Sequence, residues 1–519
     1  MSSLLKPGRL SVSTERIVVA LTLIVYAGLL IYLIPRHEPW ADEAQAWELA
    51  KSLGLKSLFG TYIHYECSPG LWHLVLWLLA RLNVTYSGMH WFTGAIAVLS
   101  MAILMIASPF PLPLRILLPF TYFFAFQYAV VARSYVLFTA ILFALAWVWP
   151  TRLKHPITLA ILTGLLANVA LHGLVTAIGL GIVLAVEWYS IQNLEQGRWR
   201  RWLVAAALFS VMLGFALWCV APAPDAGWLW LAKQMPSSIS MSGIANHPSI
   251  HTLPNSLVVA ISTLLRFVHV LSYGLTDRFH LGVIAWALLL WRLRRQGRLR
   301  YSLPVIFLAI TCMYSLFSYY HAGLFWVLFL FLWWVTWPED KAMRGKEHWM
   351  ATALLVVVLL CIAAQLVWAA NAIRYDVAMP YSSSRDGAVI LQKYLKRGDK
   401  VDVAVASAAY AWGGQSYITG IEPYFMLEPI HNKIHRFWFW GGDDDLRAKY
   451  LDDSEHHAVV VIVEEMDDDQ GSHAEEKRLK ALGYQRAETV CGRAYYPDDS
   501  GPRVCDAFFQ PSRRQGGNP

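Results

Sequence analysis

Up to about residue 372 the chain alternates long apolar runs with short polar turns, and after that its pattern changes. The apolar runs lie at 17–34, 70–82, 88–107, 115–131, 134–150, 156–171, 173–189, 202–220, 256–274, 281–291, 301–318, 321–337 and 349–371. Run 17–34 has 18 residues, close to the length that crosses a hydrocarbon core of about 30 Å. It ends in Pro35-Arg36-His37 rather than in a small-residue cleavage site, so it predicts a retained first transmembrane helix. The runs do not alternate as barrel strands would. Lipid admits only helices or closed barrels, so the pattern predicts a polytopic α-helical membrane protein of about 11–13 transmembrane segments.

Beyond residue 375 the runs become short. Stretches 401–406 and 458–463 are β-like, Gly413-Gly414 and Gly441-Gly442 mark turns, and 474–482 is helix-like. Two parts are expected: a membrane domain over 1–375, with its first loop at 36–69, and a small α/β soluble domain over 376–519.

Composition agrees with this division. Of 519 residues 56% are hydrophobic and 15% charged, against about 25% charged in soluble domains. A single soluble globule, a disordered chain, a coiled coil and a small disulfide scaffold are excluded. Residues 1–375 carry 26 Lys/Arg against 13 Asp/Glu, and residues 376–519 carry 17 against 23. The basic excess sits in short loops between apolar runs, where membrane topology rather than nucleic acid accounts for it. Arg152 and Lys154, 198–201, 292–300 and 341–346 are therefore expected on the cytoplasmic side. Loop 36–69, segment 221–255, the 319–321 turn and everything after 372 then fall on the outer side. Four runs separate loop 36–69 from Arg152, where an odd number is required. A half-helix or re-entrant piece is expected, with 71–82 and 281–291 as the short candidates; such broken helices line polar cavities.

Candidate chemistry begins in the first outer loop, His37-Glu38-Pro39-Trp40-Ala41-Asp42-Glu43. Asp42 and Glu43 open a short amphipathic helix, where anions are favoured by the helix dipole. A plain N-terminal capping role explains such a pair. A general base at the membrane surface explains it too. Arg133, set between two apolar runs, is either a snorkelling interfacial residue or a functional one, since charge in lipid is costly. A guanidinium fork suits a phosphate. His172 and His321, at helix ends, read as satisfied interfacial residues or as ligand-binding ones, and Arg278 beside Asp277 is a phosphate candidate or a plain ion pair. His247 and His251 fall in a loop able to cover such a site. Trp40, Trp91, Trp188, Trp228, Trp230 and Trp337 fit an aromatic belt. The acidic runs 443–445 and 467–469 read as solvated loops without the alternating ligands of a calcium site. The six cysteines show no metal-ligand spacing, and no divalent metal is expected. Cys491 and Cys505 are disulfide candidates in an oxidising compartment.

An Asp-Glu pair just after the first transmembrane helix resembles the GT-C class of integral-membrane glycosyltransferases. The likeness is to the branch holding protein O-mannosyltransferases and lipid A aminoarabinose transferases. His64-Tyr65-Glu66-Cys67-Ser68-Pro69-Gly70-Leu71-Trp72 resembles the segment that enters that family's second membrane helix, with Ser68-Pro69-Gly70 in place of a double proline. Arg133-Ser134-Tyr135 resembles its Arg-x-Tyr element. The resemblance implies a GT-C-like fold. It also implies a polyprenyl-phosphate-linked sugar donor as co-substrate, a lipid, glycan or protein acceptor, and single displacement with inversion on the outer face. No nucleotide sugar, no obligatory cofactor and no nucleic-acid partner are implied. Asp42 would be the base, Glu43 its hydrogen-bonding assistant, and His64, Tyr65, Glu66, Arg133, Tyr135, His172, Arg278 and His321 would bind substrate. The setting implied is a bacterial inner membrane, with site and C-terminal domain in the periplasm. Two other readings compete. A flippase or transporter of lipid-linked sugars would bring inverted repeats, which are not visible. A polysaccharide polymerase or ligase would place its arginines and histidines in large later loops.

Overall fold

The computed structural model describes residues 11–39, 41–191, 199–224, 255–314, 319–337, 346–396, 401–403, 460–466, 470–497, 501 and 503–511. Trp40, Trp228, Trp230, His247, His251, both double-glycine turns and the acidic runs 443–445 and 467–469 lie outside the described residues.

The helices in chain order are α1 Val12–Leu33, α2 Ala41–Ser52, α3 Leu55–Gly60, α4 Leu71–Arg81, α5 Tyr86–Ala107, α6 Leu112–Leu117, α7 Tyr135–Val148, α8 Pro156–Ala167, α9 Leu171–Ile191 and α10 Trp199–Val220. Then follow α11 Asn255–Tyr273, α12 Phe279–Arg295, α13 Leu303–Tyr314, α14 Tyr319–Thr336, α15 Lys346–Ala378, α16 Ser384–Lys396 and α17 Gln470–Ala481. Among the described residues, five stretches are long and apolar enough to cross a membrane: Val12–Leu33, Tyr86–Ala107, Leu171–Ser190, Trp199–Val220 and Trp349–Ala378. The other apolar helices among those residues fall short in length or in composition, so five helices among the described residues meet both conditions, where the runs predict 11–13 segments over the whole chain. Prolines account for part of the shortening. Pro150 lies in the tight turn that ends α7, and Pro156 supplies the first residue of α8.

One of the two expectations about short segments changes. The 71–82 run is an 11-residue helix, about 16 Å long. The 281–291 run is instead part of a 17-residue helix, α12. The real break falls in 115–131, which reads as one continuous run in the sequence. There α6 is followed by a tight turn at Leu118–Phe120 containing Pro119, then a wide π turn at Phe123–Gln127. This broken stretch is wholly buried from Tyr122 to Ala132. The Tyr26 hydroxyl of α1 donates to Phe124 O at 2.6 Å, which satisfies one irregular carbonyl.

The π turn is packed closely from one side. A Cβ at Gly323 of α14 would collide with a ring carbon of Phe123. Glycine therefore allows α14 to approach the broken segment, two residues from His321.

After α15 the chain forms a small sheet of order β1-β2-β4-β3: β1 Val401–Val403, β2 Val460–Met466, β3 Tyr484–Arg493 and β4 Arg503–Pro511. β1 and β2 run parallel, while β2–β4 and β3–β4 are antiparallel. Helix α16 buries Ala388, Leu391 and Tyr394, one stripe at helical spacing. The Tyr394 ring lies 6.1 Å from that of Phe508 on β4. Cys491 and Cys505 face each other across β3 and β4 and form a disulfide.

Candidate active site

The site grows out of the turn that leads from α1 into α2. Asp42 and Glu43 occupy the first turn of α2. Neighbours on a helix point about 100° apart, and the two carboxylates meet different surroundings. The Asp42 side chain keeps 24% exposure, whereas that of Glu43 is fully buried.

Asp42 pairs with the Arg133 guanidinium. Arg133 lies in the turn between the π segment and α7, and its guanidinium carbon sits 4.9 Å from the Tyr320 ring and 5.6 Å from the Tyr135 ring. The Tyr128 hydroxyl donates to Tyr320 O at 2.7 Å and so ties α14 to the same turn.

Glu43 is held from three directions. One carboxylate oxygen accepts the Ala132 backbone N–H at 2.5 Å and lies 3.1 Å from His90 Nε2. The other faces His37 Nε2 at 3.5 Å. On its far side, His37 Nδ1 meets Asp376 at 2.8 Å. Burial alone would push the His37 imidazolium down, but Asp376 and then Glu43 raise it to about 10. Burial likewise works to raise Glu43, but hydrogen bonds from His37 and His90 hold it well below the usual carboxylate range. The resemblance implies that Glu43 assists Asp42 by hydrogen bonding; in the structure its carboxylate accepts from the backbone next to Arg133.

Glu66 is the third carboxyl near the pair. It accepts Gln45 Nε2 at 2.8 Å and lies 3.9 Å from His73 Nε2. Burial raises it to about 7; the Gln45 hydrogen bond opposes this, the Asp42 charge adds to it and the Arg133 charge opposes it. His73 is buried, and both its ring nitrogens lack a hydrogen-bond partner.

His172 and His321 come together although 149 positions separate them in sequence, with ring centroids 4.3 Å apart. Tyr135 meets both rings edge-on, at 6.3 and 5.7 Å. His172 Nε2 is buried without a hydrogen-bond partner. Asp42, Arg133, Tyr135, Glu66, His172 and His321 thus form one neighbourhood, extended by Tyr320.

Other candidates lie apart. His64 Nδ1 bonds to Ala221 O at 2.8 Å, tying the first loop to the end of α10. Tyr65 closes the short turn Tyr62–Tyr65 and is half-buried. The Arg278 side chain is 76% exposed and pairs with Asp277 at 3.6 Å, so the plain ion pair is what the structure contains there. Asn168, a polar residue among apolar ones at the end of α8, donates to Gly164 O and Met212 O and packs α8 against α10. Among the described residues no group of three or more His, Cys, Asp or Glu is arranged to hold a metal ion.

His37, His90 and Asp376 escaped the sequence reading. Their one signal was an ionisable side chain inside an apolar run, for His90, or just beyond one, for His37 and Asp376. The pairing itself spans 339 positions between His37 and Asp376.

No protein-family model matches the chain, and no curated protein or solved structure matches it either.

Proposed function

We propose that this chain is an integral-membrane glycosyltransferase of GT-C-like character. It moves a sugar from a polyprenyl-phosphate-linked donor to a lipid, glycan or protein acceptor on the outer face of a bacterial inner membrane. The observation that carries the reading is the partly exposed Asp42–Arg133 pair, presented by the first turn of α2 and the turn before α7 and backed by a buried ionic network. Asp42 is the group that takes or orients the proton of the acceptor. Arg133 is the cation for the phosphate that departs with the polyprenyl chain, and its planar fork suits phosphate oxygens. In the reaction the anomeric carbon–oxygen bond to phosphate breaks, the acceptor oxygen or nitrogen bonds to that carbon, and the acceptor proton passes to Asp42. Tyr135, Tyr320, His172 and His321 supply aromatic faces and ring nitrogens around the same point.

Mass spectrometry of envelope lipids and glycans tests this, comparing a deletion strain with the same strain carrying the wild-type gene. Loss of one sugar mass on deletion, restored by the gene, is the expected result and names sugar and acceptor together. Unchanged envelope glycans in the deletion strain would reject transfer. The same loss with the lipid-linked donor accumulated on the inner face would favour a flippase.

A further inference from the structure

The network behind Glu43 reaches away from the site, to Asp376 in the last turn of α15 and to the chain that follows that helix. His37 is fully buried between two carboxylates, Asp376 at 2.8 Å and Glu43 at 3.5 Å. A neutral or missing ring would leave both acids buried without their shared cation. The next residue, Glu38, is also buried and is held by the same distal segment. Arg385 N–H donates to Glu38 Oε1 at 2.7 Å, and Arg385 Nη2 donates to His37 O at 3.0 Å. The Ser382 hydroxyl lies 2.9 Å from Pro39 O and 3.1 Å from Glu38 Oε1, and can donate to either.

Segment 380–385 is in turn clamped by the C-terminal hairpin. Arg493 N–H donates to Pro380 O at 3.1 Å. A Cβ on Gly492 would collide with the Ser382 carbonyl carbon, so the β3 backbone lies directly against that segment. The Cys491–Cys505 disulfide joins β3 to β4 one residue away. A continuous set of contacts thus runs from the hairpin through Ser382, Glu38 and His37 to Glu43. From there it passes to the Ala132 N–H, beside Arg133.

We propose that His37 is a positioning residue that ties the C-terminal unit to the Asp42–Arg133 pair, so that this unit sets the geometry of the site. Its ring contacts Glu43 and Asp376 rather than either member of the pair. It fixes Glu43, which lies next to Asp42 in α2 and holds the amide next to Arg133. The C-terminal unit is therefore part of the site's scaffold. A change at its sheet, such as an acceptor docking there, is felt at Asp42.

The test is hydrogen exchange with mass readout on the full chain in lipid nanodiscs, without any sugar donor, so it stands whether or not the transfer reading holds. The peptide followed contains Ala132. The control peptide spans Arg152 and its contacts, at the far end of α7. His37→Gln should speed exchange at the Ala132 amide about tenfold while the control stays at wild-type level. Asp376→Asn, which keeps an acceptor beside Nδ1, should produce a smaller rise at the same peptide. Wild-type exchange at Ala132 in His37→Gln would overturn the proposal. So would an equal rise in both peptides, which would make His37 a general stability residue. If His37→Gln does not reach the membrane, Asp376→Asn is read alone by the same two criteria.

Discussion

Glu43 and Ala132 are joined by a 2.5 Å hydrogen bond from the Ala132 N–H to a fully buried carboxylate. Each stands next in sequence to one member of the Asp42–Arg133 pair. The two exposed groups are thus held facing each other by a contact one residue behind each of them. Groups fixed in this way do not have to reorganise when charge develops between them. The arrangement explains why two acids are adjacent at the start of α2: one faces the open side, and the other anchors the turn opposite.

Arg133→Lys separates charge from shape. A lysine keeps the positive charge but offers a point cation where a planar fork now lies among Asp42, Tyr135 and Tyr320. Transfer should fall about 10- to 100-fold, the loss expected for a bidentate contact of about 1.5–3 kcal/mol. Membrane insertion should be unchanged. The checks are product mass per unit of protein and the detergent-solubilised melting temperature.

The His37 network sets a pH window for stability. The folded-state value of His37 lies at about 10, above its ordinary 6.5. Its stabilising contribution is therefore complete below about 6.5 and is lost as pH rises through about 10. Glu43 is held below its ordinary 4.5, so its contribution is complete above that value and is lost as pH falls below it. The melting-temperature advantage of wild type over His37→Gln should be highest between about pH 5 and 6.5 and should shrink steadily from there towards pH 10. A gap that does not change across pH 6–10 would mean that the ring is not held as an imidazolium.

Glu66 behaves in the opposite sense. A carboxyl raised from 4.5 to about 7 favours folding only while it is protonated. Glu66→Gln should match wild-type stability below pH 4.5, exceed it increasingly up to about pH 7 and keep that margin above it. Melting curves at pH 4.5 and 8 check this. Equal curves at both values would show that the carboxyl is not desolvated.

Gly323→Ala tests the approach of α14 to the π turn. The added methyl would fall on the Phe123 ring, far inside contact distance. Overpacking of this kind costs about 1–3 kcal/mol, and relief requires α14, with Tyr320 and His321, to move. A lower melting temperature together with reduced transfer is expected. A variant that is destabilised but fully active would separate the His172–His321 pair from function.

The helices were legible because long apolar runs force helical structure in lipid. The break at Leu118–Gln127 was not. Its residues are apolar on every side, so no periodicity distinguishes a π turn from a regular one, and Pro119 alone does not fix where the chain resumes. Asp42 and Arg133 stood out as charges bordering apolar runs, but their contact across 91 positions did not. His37 looked like a boundary residue after α1, since nothing nearby in sequence hints at Asp376. The β3–β4 hairpin was hidden because β3 is largely polar and partly exposed, and its pairing rests on a partner strand.

The most direct test of the central claim is complementation of the deletion strain with Asp42→Asn at matched protein level, read by envelope glycan and lipid mass. The substituted amide keeps the size and the partial polarity of the side chain but cannot take a proton. The account predicts that the variant inserts and folds yet leaves the missing sugar unrestored, with transfer down about 10²- to 10⁴-fold. Full restoration of that sugar by Asp42→Asn would contradict it.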